Sequence, residues 1–186
     1  MAKITRREAI AAGVAVGALG TQQPLRATPE VKETHRQGEG PYYKPGAPVR
    51  SNLREPGIEG TPLVVTGRIL STSGAPLEKA LFDVWHANTE GVYDNDGFKL
   101  RGRLYTDAKG SFKLETIMPR HYSSRTAHIH CKVSADGHRE ITTQLYFKGY
   151  EGNSRDRSAI PELMIEMKDA ADGKSGTFDF VLSRTA

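Results

Sequence analysis

Seven short runs rich in β-branched and aromatic residues fill the chain from Leu63 to Leu182: "LVVTGRIL", "ALFDVWHA", "RLYTD", "SFKLETI", "AHIHCKV", "TTQLYF" and "TFDFVL". Clusters of glycine, proline, aspartate and serine separate them, as in the turn "AKG" between the third and fourth runs. That spacing predicts an all-β protein, a β-sandwich core with few or no long helices. The stretch "IPELMIEMKD" stays open between a short helix and a further strand, because periodicity does not separate the two over so few residues.

Ahead of these runs, residues 28–60 are rich in proline, glycine and charge, which predicts an extended N-terminal arm laid over a core formed by residues 61–186. Residues 1–27 read as a leader: Lys3, Arg6 and Arg7 precede an apolar run from Ala9 to Leu19 that is too short to span a bilayer. The pair in "TRREAI" resembles a twin-arginine export signal, and that route is favoured over an ordinary secretory leader. Cleavage is expected near Ala27, with Gly20 as an earlier option. The mature protein would then be periplasmic or secreted, with no membrane attachment after the leader is removed.

Charge narrows the function further. Without residues 1–27 the formal net charge falls from +4 to +1, so the basic character belongs mostly to the leader. No basic stripe remains to meet nucleic acid. The one cysteine, Cys131, leaves an exported chain without an internal disulfide.

In "AHIHCKV", His128 and His130 share one face of a strand, while Ile129 and Cys131 share the other. Two such residues have Cα atoms about 6.6 Å apart, within reach of a common metal ion. Same-face histidines can equally be polar residues of a half-solvated sheet, so the pair alone does not establish a site. Cys131, facing away from them, is not expected to act as a catalytic thiol.

Two tyrosines extend the candidate set: Tyr93 in "NTEGVYDNDG" and Tyr122 in "MPRHYSSR". A loop tyrosine is more often a packing lid than a ligand. As ligands, however, tyrosines select the metal. A free phenol has a pKa of about 10, so tyrosinate at neutral pH calls for a hard, strongly polarising ion. Ferric iron suits that demand better than zinc, and the ferrous facial triad needs a carboxylate absent from His-Ile-His. Two neutral imidazoles, two tyrosinates and a hydroxide would also neutralise a trivalent ion, which limits the cost of burying it.

Taken together, "VTGRILSTSGAPLEKALFDVWHANTEGVYD", "RGRLYTDAKGSFKLETIMP", "RTAHIHCKVSA" and "TTQLYFKG" resemble the intradiol ring-cleavage dioxygenases, the catechol, hydroxyquinol and protocatechuate dioxygenase family. The likeness spans about Leu63 to Gly149. It implies one non-haem Fe(III) per chain, held by Tyr93, Tyr122, His128 and His130. It implies O2 and a catechol-type small molecule as substrates, and ring cleavage between the two hydroxyl-bearing carbons to a muconate-type diacid. By the same resemblance Tyr122 leaves the metal as substrate binds and takes a catechol proton. Arg125 matches the family's active-site arginine, stabilising charge that develops on the substrate, and Gln144 its supporting glutamine. Trp85 and Asp83 are assigned to the core and its support, and His86, His121 and His138 to no site.

Two departures stand out. Only Ser123 and Ser124 separate Tyr122 from Arg125, where larger members carry an insertion, so a more open pocket is expected. The helical dimerisation domain of the catechol-type enzymes has no counterpart before Leu63; an oligomer is permitted, but not one built that way. The rival reading is a non-catalytic β-sandwich module binding carbohydrate or peptide through the same tyrosines and histidines, and a zinc hydrolase is a third.

Overall fold

A computed structural model describes residues 30–185, so the expected leader lies outside the described residues. The seven runs form strands, and the C-terminal part contributes more strands than expected. In chain order they are β1 (Pro62–Ser71), β2 (Leu81–Trp85), β3 (Arg101–Tyr105), β4 (Ser111–Ile117), β5 (His128–Ser134) and β6 (Ile141–Phe147). After these come β7 (Met164–Ile165), β8 (Lys168–Ala170), β9 (Gly173–Thr177) and β10 (Phe180–Leu182). Two 3-10 turns, Glu151–Arg155 and Pro161–Leu163, are the helical elements among the described residues. The open stretch "IPELMIEMKD" thus becomes a 3-10 turn and then strand. "TFDFVL" does not remain one strand: it breaks at Phe178 and Asp179, where Asp179 turns back to bond the backbone and guanidinium of Arg68.

The strands form two five-stranded sheets, and the protein is an all-β sandwich. One sheet is centred on β1, which pairs antiparallel with β4 and parallel with β9 and β10. The other runs β3-β2-β5-β6-β7. Between them lies the main core, with Phe82, Phe112 and Phe180 in edge and tilted contact around Leu63, Leu114, Ile129 and Leu145. Truncating one of these aliphatic side chains to alanine costs about 2–5 kcal/mol, lost transfer energy plus the cavity left behind.

The arm decides what happens on the outer face of the β3-β2-β5-β6 sheet. At residues 48–53 it closes the edges of both sheets: Arg50 N donates to Arg103 O, and Leu53 N to Glu115 O, each at 2.8 Å. Earlier, at residues 35–43, it crosses the sheet face. Along β6, Gln37 N donates to Thr142 O and Thr143 Oγ1, which has the parity of Cys131, to His35 O; over the histidine face Glu39 pairs with Lys132 and the Tyr43 hydroxyl bonds Asp83. A face that alternation alone would leave in water is therefore covered, and β5 is buried on both sides from His128 to Cys131.

Candidate metal centre

The covered face carries a row of polar residues. Register pairs Arg101 of β3 with Trp85 of β2, Trp85 with His130 of β5, and His130 with Gln144 of β6. Residues opposite one another in antiparallel strands project from the same face, so all four point to the arm. His128, two residues before His130, stands opposite Tyr146 on that face. Ile129, Cys131 and Val133 take the other parity and fill the main core, so Cys131 is buried away from the histidines as expected.

The two histidines converge. Their Nε2 atoms lie 3.1 Å apart, and the Tyr93 hydroxyl stands 3.4 Å from His128 Nε2. His128 Nδ1–H donates to the Thr126 carbonyl at 2.6 Å, a bond that fixes the tautomer and turns the Nε2 lone pair toward His130 and Tyr93. The His130 ring lies flat on Trp85, with centroids 4.9 Å apart and planes 6° from parallel. Its Nδ1 is buried and has no hydrogen-bond partner among the described residues. The arm passes close to His130 at Gly40: at φ +75°, a Cβ there would sit 3.3 Å from His130 Cε1.

Tyr93 and Tyr122 arrive from two separate loops. The Tyr93 loop is tied by Asn88, whose Oδ1 accepts Glu90 N and Val92 N, and by Asp94, whose carboxylate accepts Gly97 N and Lys99 N. Arg101 reaches up from the sheet, donating from Nε to Asp94 O and from Nη1 to Tyr42 O. Tyr122 and Arg125 face each other across a tight turn closed by Arg125 N to Tyr122 O at 2.9 Å, with Ser123 in the left-handed region at φ +49°. Holding a non-glycine residue there costs about 1 kcal/mol. Tyr122 stands edge-on to Tyr93, centroids 5.3 Å apart, and 5.7 Å from the His128 ring. Tyr93 is only 5% exposed, whereas Tyr122 is half-buried.

Burial sets the protonation states. Desolvation lowers His128 to about 4 and His130 well below the ordinary imidazole value, so both rings are neutral at pH 7. The same burial, aided by the neighbouring Tyr122, raises the Tyr93 phenol. A cation in contact with its oxygen would favour the phenolate against that shift. Two neutral imidazoles whose Nε2 atoms converge, with a phenol beside them, form an electron-rich pocket of a kind that suits a cation. Among the described residues no group of three or more His, Cys, Asp and Glu side chains converges, so the quartet depends on its tyrosines.

Arg125 lies beside this quartet, on the wall of a cavity of about 300 Å³ also lined by His121, Ser123, Ser124, Glu151 and Arg155. Its Nη2 donates to Gln144 Oε1 at 2.5 Å and to the Tyr146 hydroxyl at 3.0 Å, and its Nε to Asp156 Oδ2 at 2.9 Å. Gln144 is held in turn by the arm, its Nε2 donating to Gly38 O. All six residues expected at the site thus lie in one neighbourhood. Trp85 and Asp83 are buried supports, and His86 lies outside the quartet with both nitrogens used, by Ala87 O and the Thr116 hydroxyl.

Sequence reasoning left out Tyr42, Arg101, Tyr146 and Asp156. Tyr42 is the most prominent: its ring stacks on Tyr93 at 4.4 Å and 12° and meets Tyr122 edge-on at 5.5 Å. Two adjacent tyrosines in a proline- and glycine-rich arm were the available signal, since such a segment has little reason to carry large aromatic rings unless they are buried against something.

Comparison with known proteins points the same way. A family model described as Dioxygenase matches residues 38–184. A chlorocatechol 1,2-dioxygenase of Pseudomonas sp. (strain P51) is 30% identical over 173 residues, covering 78% of this chain and 69% of that protein. A catechol 1,2-dioxygenase of Acinetobacter baylyi is 35% identical over 145 residues, but the chain spans only 47% of its length. Among solved structures, the dioxygenase domain of a dioxygenase and carbohydrate-binding fusion from Streptomyces sp. SirexAA-E superposes with a TM-score of 0.80 at 44% identity, covering 83% of this chain and all of that one. The 3-chlorocatechol 1,2-dioxygenase of Rhodococcus opacus 1CP gives 0.73 at 26% identity, over 86% of this chain and 75% of its own.

Proposed function

The chain belongs to the intradiol ring-cleavage dioxygenase family, and we propose that it opens the ring of a catechol-type substrate between its hydroxyl-bearing carbons, using O2 and one ferric ion, to give a muconate-type diacid. The observation that carries this reading is the meeting of two buried, neutral imidazole nitrogens with a buried phenol. With His128 Nδ1 holding its proton on Thr126 O, the two Nε2 atoms can share at most one proton. If His130 supplies that proton, its Nδ1 becomes a buried acceptor without a donor; if not, two lone pairs face each other. A cation bound by both Nε2 atoms removes the repulsion between those lone pairs, whereas His130 Nδ1 keeps no partner among the described residues in either tautomer. Tyr93 and Tyr122 complete the set and supply the negative charge a trivalent ion needs.

Bound there, ferric iron would supply the Lewis acidity that ionises the phenols and activates the catechol toward O2. The chain's own residues divide the remaining work by their exposure. Tyr93, deep and covered by Tyr42, is the permanent anchor. Tyr122, half-buried on the turn that leads to the cavity, is the residue whose Oη can withdraw and take up a catechol proton. Arg125 places positive charge on the cavity wall, where negative charge on the substrate grows during ring opening. Gln144 acts by holding Arg125. Trp85 and Tyr42 cover His130 and Tyr93 and keep water from them.

A carbohydrate- or peptide-binding surface would need its aromatic rings exposed, whereas Trp85 is 1% and Tyr93 5% exposed. The test is direct. Protein purified with ferric iron should be red-brown from a tyrosinate charge-transfer band, should consume O2 when catechol is added, and should form an ultraviolet-absorbing muconate. A colourless protein that retains zinc, or a coloured one that never consumes O2 with any catechol, overturns the proposal.

A further inference from the structure

Arg125 is held from a part of the chain that the family resemblance did not point to. Asp156 follows the 3-10 turn Glu151–Arg155, thirty-one residues downstream, and is itself buried. Its Oδ2 accepts Arg125 Nε at 2.9 Å and Thr126 N at 3.0 Å, while Oδ1 accepts Ser158 N at 2.9 Å. On the other side of the guanidinium, Nη2 is taken by Gln144 and Tyr146, whose own partners are Gly38 and Gln37 of the arm. A guanidinium is planar, so fixing Nε and Nη2 fixes the whole group. Among the described residues nothing takes Nη1, the one donor nitrogen left for a ligand.

We infer that Asp156 is a positioning residue that holds Arg125 with its Nη1 left free for substrate, an inference that rests on the dioxygenase reading of the site. The two sides of the clamp are unequal. Gln144 and Tyr146 are neutral acceptors on the nitrogen end. Asp156 is the one charged partner, and the one that ties the Arg125 side chain to the Thr126 backbone, two residues before His128. Burial alone would lower the Arg125 guanidinium, but the Asp156 bond and nearby negative charge hold it above its ordinary value; Asp156 in turn is held below the usual carboxylate range by Arg125 and backbone N–H groups. The carboxylate chemistry is required on both oxygens. Each faces N–H donors, so an asparagine must turn its amide N–H₂ toward a donor whichever way it is flipped. Released from Asp156, the arginine keeps a buried charge with no fixed counter-charge, free to pair with a phenolate or the product instead of the reacting substrate.

The test is a double-mutant cycle on the iron-loaded protein with catechol. Asp156→Asn should lower kcat at least tenfold with KM changed less than threefold, and should cost less than twofold more when Arg125 is already alanine, because its effect passes through that residue. Asp156→Glu, which keeps the charge, should recover part of the loss; it also serves if Asp156→Asn does not fold, as judged by thermal melting. A second readout needs no turnover. Phenylglyoxal modification of Arg125, followed by peptide mass analysis, should be several-fold faster in Asp156→Asn, because the guanidinium is no longer held at Nε. Additive effects in the cycle, or an unchanged modification rate in a folded variant, overturn the inference. Should the wild-type protein open no catechol, the proposed function fails instead, and the modification rates still decide whether Asp156 holds Arg125.

Discussion

The ring of Tyr42 stacks on that of Tyr93, 4.4 Å from centroid to centroid and 12° from parallel. One belongs to the N-terminal arm and the other to the loop after β2, so the arm is a wall of the site and not only a cover for the sheet. Tyr42→Ala should destabilise the protein by about 2 kcal/mol, less than a fully buried aromatic because Tyr42 is half-buried. It should also speed the loss of iron to a chelator severalfold, by opening Tyr93 to water. Tyr42→Phe keeps the ring and should match wild type in urea unfolding and in chelation rate. Equal chelation rates for all three proteins would show that the stack does not shield the centre.

The two tyrosines proposed as ligands should be distinguishable by their burial. In the ferric protein, Tyr93→Phe is expected to lose much of the visible band whether or not catechol is present. The wild-type band should change on anaerobic addition of catechol as Tyr122 leaves, and that change should shrink in Tyr122→Phe. Spectra of both variants that coincide with wild type would remove these residues from the metal.

Arg125→Ala should remain red-brown and still bind catechol, because none of the expected iron ligands is touched. Its kcat under saturating catechol should fall on the order of a hundredfold, the usual cost of removing one well-aimed charge from a site of this kind. A wild-type kcat with only a raised KM would make Arg125 a substrate anchor.

His86 provides a pH dependence separate from the metal. It is wholly buried, and desolvation lowers it from 6.5 to about 4. Below pH 6.5 the unfolded chain takes up this proton and the folded chain does not, so stability is full above that pH and falls as pH drops toward 4. The loss from this one group should reach about 2 kcal/mol by pH 5. Urea unfolding of the metal-free protein between pH 7.5 and 5 should therefore be less steep in pH for His86→Gln than for wild type. Equal slopes would assign the acid sensitivity to other groups.

Export is predicted to depend on the arginine pair of the leader. Replacing Arg6 and Arg7 together by lysine should leave the protein in the cytoplasm, measured by fractionation. Export at the wild-type level would mark the leader as a general secretory one.

Strand identity and the parity of side chains were local properties, legible from residue order. Alternation placed Ile129 and Cys131 opposite His128 and His130, and the sandwich bears this out because a strand's two faces follow from its pleat whatever surrounds it. The spacing of turn residues likewise marked β1 to β6. It failed at "TFDFVL", where the Asp179 side chain breaks the run by a tertiary bond to Arg68. What alternation could not supply was the environment of the histidine face. A lone sheet would leave it half-solvated, with imidazoles near their ordinary pKa; the arm, through Gly40, Tyr42 and Tyr43, buries it and makes both rings neutral donors. Nor could it reveal that Asp156 reaches Arg125 or that Arg101 reaches Tyr42, because those bonds join segments 31 and 59 residues apart. Residue order decides which side chains share a face, since that is set by the geometry of one strand; which side chains meet across the face, and how much water they keep, depends on contacts between distant segments that exist only once the sheets have packed and the arm has crossed them.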